Sequence, residues 1–340
     1  MFIDDKNKLK YFKRPFFISV TNNRRKLCLC GFINTKIFIF SSKNKLINFK
    51  DLYSLKIKNI TNIYFIDKLK NYLLIDTDNN CIYLYDKKLE KLIYKKNIHI
   101  DCLFFDKKRF LYYFSNLDFN LYSLDCESTF IVRKIQNFNK YQYINKISSI
   151  YYLKNYIYLL SKEKNELHKF KFNTYNLTHL NKGLVYGRGG NGLTRNPNDF
   201  LIFKNNIVVC DTDNYLIQIF DKKFKFIKQY FNKGIKKNHL DYALSFDNYK
   251  NTIYICDTNN DRIISYNIVN NATNIILKYF HSNNSLRRPS SVLSDSQDNI
   301  FVSDRSNNYI KIFDFNYKFI SKSNKLKQPS KIKFYTKNKN

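Results

Sequence analysis

The chain has 340 residues, 44% of them hydrophobic, with only 7 glycines and 4 prolines, which supports one large core or two or three small ones. No run of 18 apolar residues exists, which excludes a helix spanning a bilayer. The N-terminal MFIDDKNKLKYFKRPF has no apolar signal-like stretch, and its Asp4 and Asp5 argue against a transit peptide.

The formal charge is +32, yet Lys outnumbers Arg roughly four to one and is spread along the whole sequence. Phosphate-reading surfaces concentrate Arg, whose planar fork fits phosphate, so the charge alone does not specify nucleic acid. Ile, Tyr, Phe, Lys and Asn are all abundant. Their codons are AT-rich, so a biased genome produces the same profile. The seven cysteines are odd in number and sit in a long chain, which disfavours a secreted disulfide framework. A reducing, cytoplasmic setting is expected.

In chain order, one pattern recurs. CGFINTKIFIFS begins at Cys30, LIDTDNNCIYLYD spans 74–86, SNLDFNLYSLD begins at Ser115 and SKEKNELHKFK at Ser161. VCDTDNYLIQIFD (209–221), ICDTNNDRIISYN (255–267) and VSDRSNNYIKIFD (302–314) follow. Each is a short apolar strand, an anchor residue, a polar turn, and a strand alternating apolar and polar. The anchors are Gly31, Asp76, Ser115, Ser161, Asp211, Asp257 and Asp304. An apolar strand precedes each copy and another follows, so each unit carries four short strands. Four strands per roughly 40–50 residues predicts an all-β chain folded as a closed β-propeller of four-stranded blades. The predicted blades are 14–50, 59–95, 98–135, 144–180, 196–232, 239–281 and 288–323. Seven blades are favoured and six remain possible. QPSKIKFY at 328–335 is expected to add a closing strand against the N-terminal blade.

These residues resemble the NHL repeat. The likeness is sharpest over 186–323 and includes the glycine-containing link YGRGGNGLTRNPNDFLIF at 186–203. WD repeats fit worse because the chain has no Trp, and kelch repeats because paired glycines do not recur. The resemblance implies a non-catalytic scaffold that binds a protein or single-stranded RNA through one face. It also implies two alternatives: the recognition subunit of a ubiquitin-ligase assembly, without a zinc module of its own, or a metal-dependent lyase or hydrolase sited in the central channel.

The candidate residues follow from the pattern. Asp76, Asp211, Asp257 and Asp304 recur, as a structural device does, and are expected to accept backbone N–H bonds from the turn ahead. Asn79, Asn214, Asn260 and Asn307 suit left-handed backbone in that turn. DTDNN (76–80) and DTNND (257–261) lack the Gly and Glu of a helix–loop–helix calcium site. Gly187, Gly189 and Gly192 spell G-x-G-x-x-G, but Pro197 follows where a dinucleotide site needs a helix. The cysteines show no metal spacing; Cys30, Cys210 and Cys256 read as small core residues. His99 with Asp101, and His239 with Asp241, sit at equivalent places before first strands and are the only residues a channel metal could use. No cofactor is expected. Arg24, Arg25, Arg188, Arg195, Arg287 and Arg288 lie in connections and would form a positive disc for single-stranded RNA if they gather.

Overall fold

Strands form here because apolar β-branched and aromatic residues come in runs of five to seven between polar turns, too short for helices. In the computed structural model the described residues are 15–20, 26–31, 36–41, 46–51, 57, 60–66, 68–76, 79–105, 110–126, 131–137, 147–173, 176–277, 285–294, 299–314 and 316–322. They form seven four-stranded antiparallel sheets, each with its strands in sequence order, and one two-stranded parallel ribbon. Among the described residues helix is limited to single 3₁₀ turns at Thr212–Asn214 and Thr258–Asn260. Among the described residues no helix is long and apolar enough to cross a membrane. The predicted closing strand at 328–335 lies outside the described residues.

The first sheet runs from Pro15–Val20 to Leu46–Asp51, the second from Ile60–Ile66 to Leu92–Asn97 and the third from Cys102–Phe105 to Val132–Asn137. The fourth runs from Ile147–Leu153 to Asn176–Gly183, the fifth from Pro197–Phe203 to Phe226–Tyr230. The sixth runs from Ala243–Tyr249 to Thr273–Leu277 and the seventh from Pro289–Ser294 to Phe319–Lys322. The ribbon, Val185–Tyr186 against Leu193–Thr194, sits in the link before the fifth sheet.

The chain divides into two compact units. One is His99–Ala243; the other joins Met1–Ile98 with Leu244–Asn340. Within each unit, neighbouring sheets pack face to face. In the first, Tyr112, Phe114 and Leu121 of the third sheet share a core with Ile150, Leu159 and Phe170 of the fourth. The other face of the fourth sheet, through Tyr158, Leu160 and Leu167, meets Phe200, Val209 and Phe220 of the fifth. In the second unit Tyr254, Cys256 and Ile263 of the sixth sheet meet Val292, Val302 and Phe313 of the seventh. Sandwiching explains the sequence pattern. Second strands such as Asn206–Asp211 are buried on both faces and read as unbroken apolar runs, while fourth strands such as Leu92–Asn97 are largely exposed and carry lysines. Lysine on such outer strands discourages edge pairing with other chains.

Polar latches add direction to this packing. The residue just after the anchor reaches forward to the start of the next first strand. Thr212 Oγ1 donates to the Ala243 carbonyl at 2.7 Å, and Thr258 Oγ1 to the Pro289 carbonyl at 2.8 Å. Asn116 holds both backbone groups of Ile147, accepting its N–H at 2.9 Å and donating to its carbonyl at 3.3 Å. Lys162 donates to the Asn198 side chain. Thr212 and Thr258 are buried, so these bonds are made away from water.

Replacing Thr258 by Val keeps the shape and deletes the donor to Pro289. It is expected to cost about 1–3 kcal/mol in denaturant unfolding, because a buried carbonyl loses its partner, whereas Thr258→Ser should retain most of the stability.

Candidate functional site

The connections and the anchor turns meet at one end of each sheet, since both join the same ends of antiparallel strands. The fullest arrangement surrounds Asp211, which is fully buried at the end of its strand. Its Oδ1 accepts the Arg195 N–H at 2.7 Å; its Oδ2 accepts from Asn214 Nδ2 at 2.9 Å and Gln218 Nε2 at 2.6 Å. Those two amides also hold the incoming link. Asn214 donates to the Gly187 carbonyl at 3.0 Å, and Gln218 donates to the Leu193 carbonyl at 2.6 Å and accepts the Gly192 N–H at 2.9 Å. Gln229 accepts the Asn191 N–H at 2.6 Å. Gly190 has φ +79°, and a Cβ there would lie 2.2 Å from Gln229 Oε1, so any side chain would be strained and would push Gln229 from the link. The glycine-containing link is therefore a strap buckled onto the anchor turn.

The same buckle recurs with different chemistry. Asp304 accepts the Arg287 N–H at 2.7 Å and Asn307 Nδ2 at 2.9 Å, and pairs with buried Lys311 at 2.7 Å. Asn307 and Lys311 both donate to the Ser285 carbonyl, as Asn214 and Gln218 do to Leu193. Asp257 pairs with Arg262 Nε at 2.6 Å and accepts from Asn260 at 2.9 Å. Asp76 accepts both the backbone N–H (3.0 Å) and the side-chain amide (2.8 Å) of Asn79. For Asp211 and Asp304 the backbone donors come from the link behind, Arg195 and Arg287, which sequence reading did not foresee. The left-handed residue is also one place later than expected: Asn80, Tyr215, Asp261 and Asn308 have φ of +49°, +62°, +55° and +65°. The preceding Asn instead closes the turn and spends its amide on the carboxylate.

Two hairpins without an anchor Asp keep an acid by moving it. In the third sheet Asp118 accepts from Tyr122 Oη; in the fourth, Glu166 Oε2 lies 3.0 Å from Nε2 of fully buried His168. Tyr122, His168, Gln218 and Lys311 each stand seven residues after their anchor. His168 Nδ1 lies 3.4 Å from His179 Nε2, and Lys182 donates to Glu166 Oε1 at 2.7 Å.

Burial sets the protonation of these groups. It pushes Asp211 up to about 6 against the pull of its three donors, all of them neutral. It also raises Asp304, there opposed by the Lys311 ammonium. Burial drives His168 down to about 4, outweighing Glu166, and lowers His179 with help from the Lys182 charge. Glu166 is penalised by burial but ends below the ordinary carboxylate range because Lys182 and His168 both stabilise its anion.

Arg188 and Arg195 lie in one compact unit, Arg287 and Arg288 in the other; Arg188, Arg287 and Arg288 are exposed. Arg288 also gives its N–H to Asp261 Oδ1 at 2.6 Å. Arg24 and Arg25 lie outside the described residues. His99 Nε2 is 3.1 Å from Asp101 Oδ2, which also accepts the Asn116 N–H at 2.6 Å. His239 Nδ1 is 3.0 Å from Asn238 Oδ1, and Asp241 is half-buried two residues on. Among the described residues no three His, Cys, Asp or Glu side chains come together in a way that could hold a metal.

No family profile matches the sequence, and no curated protein does. Solved structures do match. Sqt1 of Saccharomyces cerevisiae aligns with TM-score 0.63 and 11% identity, over 92% of this chain and 86% of that one. Hsv2 of Kluyveromyces lactis aligns with TM-score 0.60 and 10% identity, over 91% and 98%. A functionally unknown protein from Desulfotomaculum acetoxidans aligns with TM-score 0.61 and 12% identity, over 87% and 94%. Sqt1 and Hsv2 are β-propellers. The fold is that of a β-propeller. Each four-stranded sheet is a blade, and the buckled straps are its inter-blade links. At these identities the likeness speaks for the fold alone.

Two outcomes test this site. Lys311→Met strands a buried Asp304 carboxylate and is expected to cost about 3–5 kcal/mol in chemical unfolding, much of it recovered in the Asp304→Asn/Lys311→Met double variant. His168 binds its proton more weakly folded than unfolded, so its contribution is present above about 6.5 and lost as pH falls towards 4. The stability difference between wild type and His168→Gln should therefore narrow by about 3 kcal/mol across that window.

Proposed function

We propose that this chain is a non-catalytic propeller scaffold that binds a protein partner through its links and turns. The link from Leu184 to Asn196 carries this reading. Its backbone is fixed from below by Asp211, Asn214, Gln218 and Gln229, yet Val185 is 61% exposed, Tyr186 64% and Leu193 37%, with Arg188 exposed beside them. A rigid strap that presents an aromatic, two aliphatic groups and a guanidinium has paid its ordering cost before any partner arrives. Tyr and Arg are also the residue types that dominate binding hot spots. The anchor carboxylates Asp211 and Asp304, both raised by burial, are committed to holding links. The NHL resemblance supports the same reading, since it implies recognition by one face of the ring. Cys81, Cys102, Cys126, Cys210 and Cys256 are buried as thiols rather than joined in disulfides, which suits a reducing, cytoplasmic setting.

The test compares cross-linked, affinity-purified wild type with a Tyr186→Ser/Arg188→Glu variant. A protein retained at fixed stoichiometry, resistant to RNase and at least tenfold depleted in the variant is expected, with Tm changed by no more than about 2 °C because neither side chain is buried. Retention that RNase abolishes replaces the protein partner by single-stranded RNA. Retention identical in the variant removes the link as the binding element.

A further inference from the structure

The other end of the blades, remote from the links, is built from the turns between first and second strands and between third and fourth. Among the described residues of the unit His99–Ala243 these turns include Lys154-Asn155 in the fourth blade, and Lys204-Asn205 and Asp221–Phe224 in the fifth. Lys154, Lys204, Lys222, Lys223 and Lys225 are all exposed there. Asp221 stands among them, with its Oδ1 occupied by the N–H groups of Lys223 and Lys225 at 2.7 and 2.9 Å.

Buried Lys169 fixes how these turns sit together. Its Nζ donates to the Lys222 carbonyl at 3.2 Å and lies 4.7 Å from the ring of Tyr156, the residue that follows Lys154-Asn155. One ammonium thus bridges the turn ends of two adjacent blades. Burial lowers its proton affinity, and the neighbouring Lys222 charge lowers it further.

The backbone makes the lysines more telling. Lys154 and Lys204 have φ of +46° and +44°, and each is followed by Asn at +66° and +71°. Two consecutive left-handed residues make the tight hairpin turn that Asn and Gly occupy at least cost. Lys holds the first place in both. Lys250, at +52°, holds the first place of the corresponding two-residue turn in a blade of the other unit. Local stability would favour Asn or Gly at each position. Phe224 in the neighbouring turn also takes φ +66°, so it is the exposure and grouping of the lysines that mark this end of the blades.

We propose that the Lys154, Lys204, Lys222 and Lys223 turn end is a docking surface for an acidic protein segment. It goes beyond the link reading, because it concerns the opposite end of the blades and different residues. The chemistry favours Glu and Asp side chains over phosphates. Lys154, Lys204, Lys222 and Lys223 present compact, strongly hydrated ammonium groups on turn tips rather than the guanidinium forks that read phosphate bidentately. Attraction of this kind acts over about 10 Å at 0.1 M salt and fades as salt rises.

The test measures binding of a fluorescent, short Glu/Asp-rich peptide to the full chain at low salt. Two other arms use a single-stranded RNA of equal charge and phosphatidylserine vesicles. In a Lys154→Asn/Lys204→Asn/Lys222→Gln/Lys223→Gln variant, peptide affinity should fall at least tenfold while Tm stays level or rises, because two strained turns are relieved. Arg at all four positions should keep affinity within about threefold. Gln at Lys233, Lys236 and Lys237, which lie in the connection after the fifth blade, should leave it unchanged. Equal loss in that control would mean that total charge, not this surface, governs binding, and would overturn the proposal. So would four-lysine dependence seen with RNA or vesicles and not with the peptide. Because Tyr186 and Arg188 are untouched, failure here leaves the link reading standing, and failure of the link variant leaves this one standing.

Discussion

In the third to sixth blades, the hydrogen bond from the residue after the anchor to the start of the next first strand is the constraint on which the structure depends. Apolar contact between blades is non-directional and tolerates sliding. A buried Thr hydroxyl or Asn amide aimed at one particular carbonyl does not. Thr212 to Ala243, Thr258 to Pro289 and Asn116 to Ile147 each span 31 residues along the chain. The same reach repeated in different blades sets where the blade following each of them begins.

Beside the latch stands the buckle. In the fifth and seventh blades the anchor acid and the donor seven residues on close over the incoming link, while the latch from the preceding blade reaches the start of the same first strand. This division of labour explains why carboxylates so deeply buried need no catalytic role. The charge of Asp304 is met by Lys311 and that of Asp257 by Arg262, whereas Asp211 is met only by neutral donors. One geometry therefore tolerates a cation or an amide, as expected where the function is to hold backbone rather than to move protons.

Much of the fold was legible in the sequence because strand periodicity is local. Alternation within five or six residues, and the anchor recurring at intervals of 39–50, were enough to group strands in fours. The buckle was only half legible. Asp and Asn stood out in four copies, but their main partners, Arg195, Leu193, Arg287 and Ser285, lie in the preceding link, and nothing in the local pattern points backward. The third and fourth blades hid it further, since their acid moves to Asp118 and Glu166 while the anchors are serines. The position seven residues on was the better signal, a polar or hydroxyl-bearing residue interrupting an apolar strand in Tyr122, His168, Gln218 and Lys311. The latch was illegible, because a Thr after an Asp reads as ordinary turn chemistry until the neighbouring blade is in place. The site residues proposed around His99 and His239 shared a motif position, which fixes their place in a blade but not a common ligand.

The latch makes communication between blades a nearest-neighbour affair. The first strands of the fifth and seventh blades are each fastened by their own turn and by the turn of the blade before, and among the described residues these bonds join neighbouring blades only. Damage at one fastening is thus confined to a single seam, leaving more distant blades in register. A repeat chain built this way can accumulate drift in one copy, as the third and fourth blades have, without forfeiting the others.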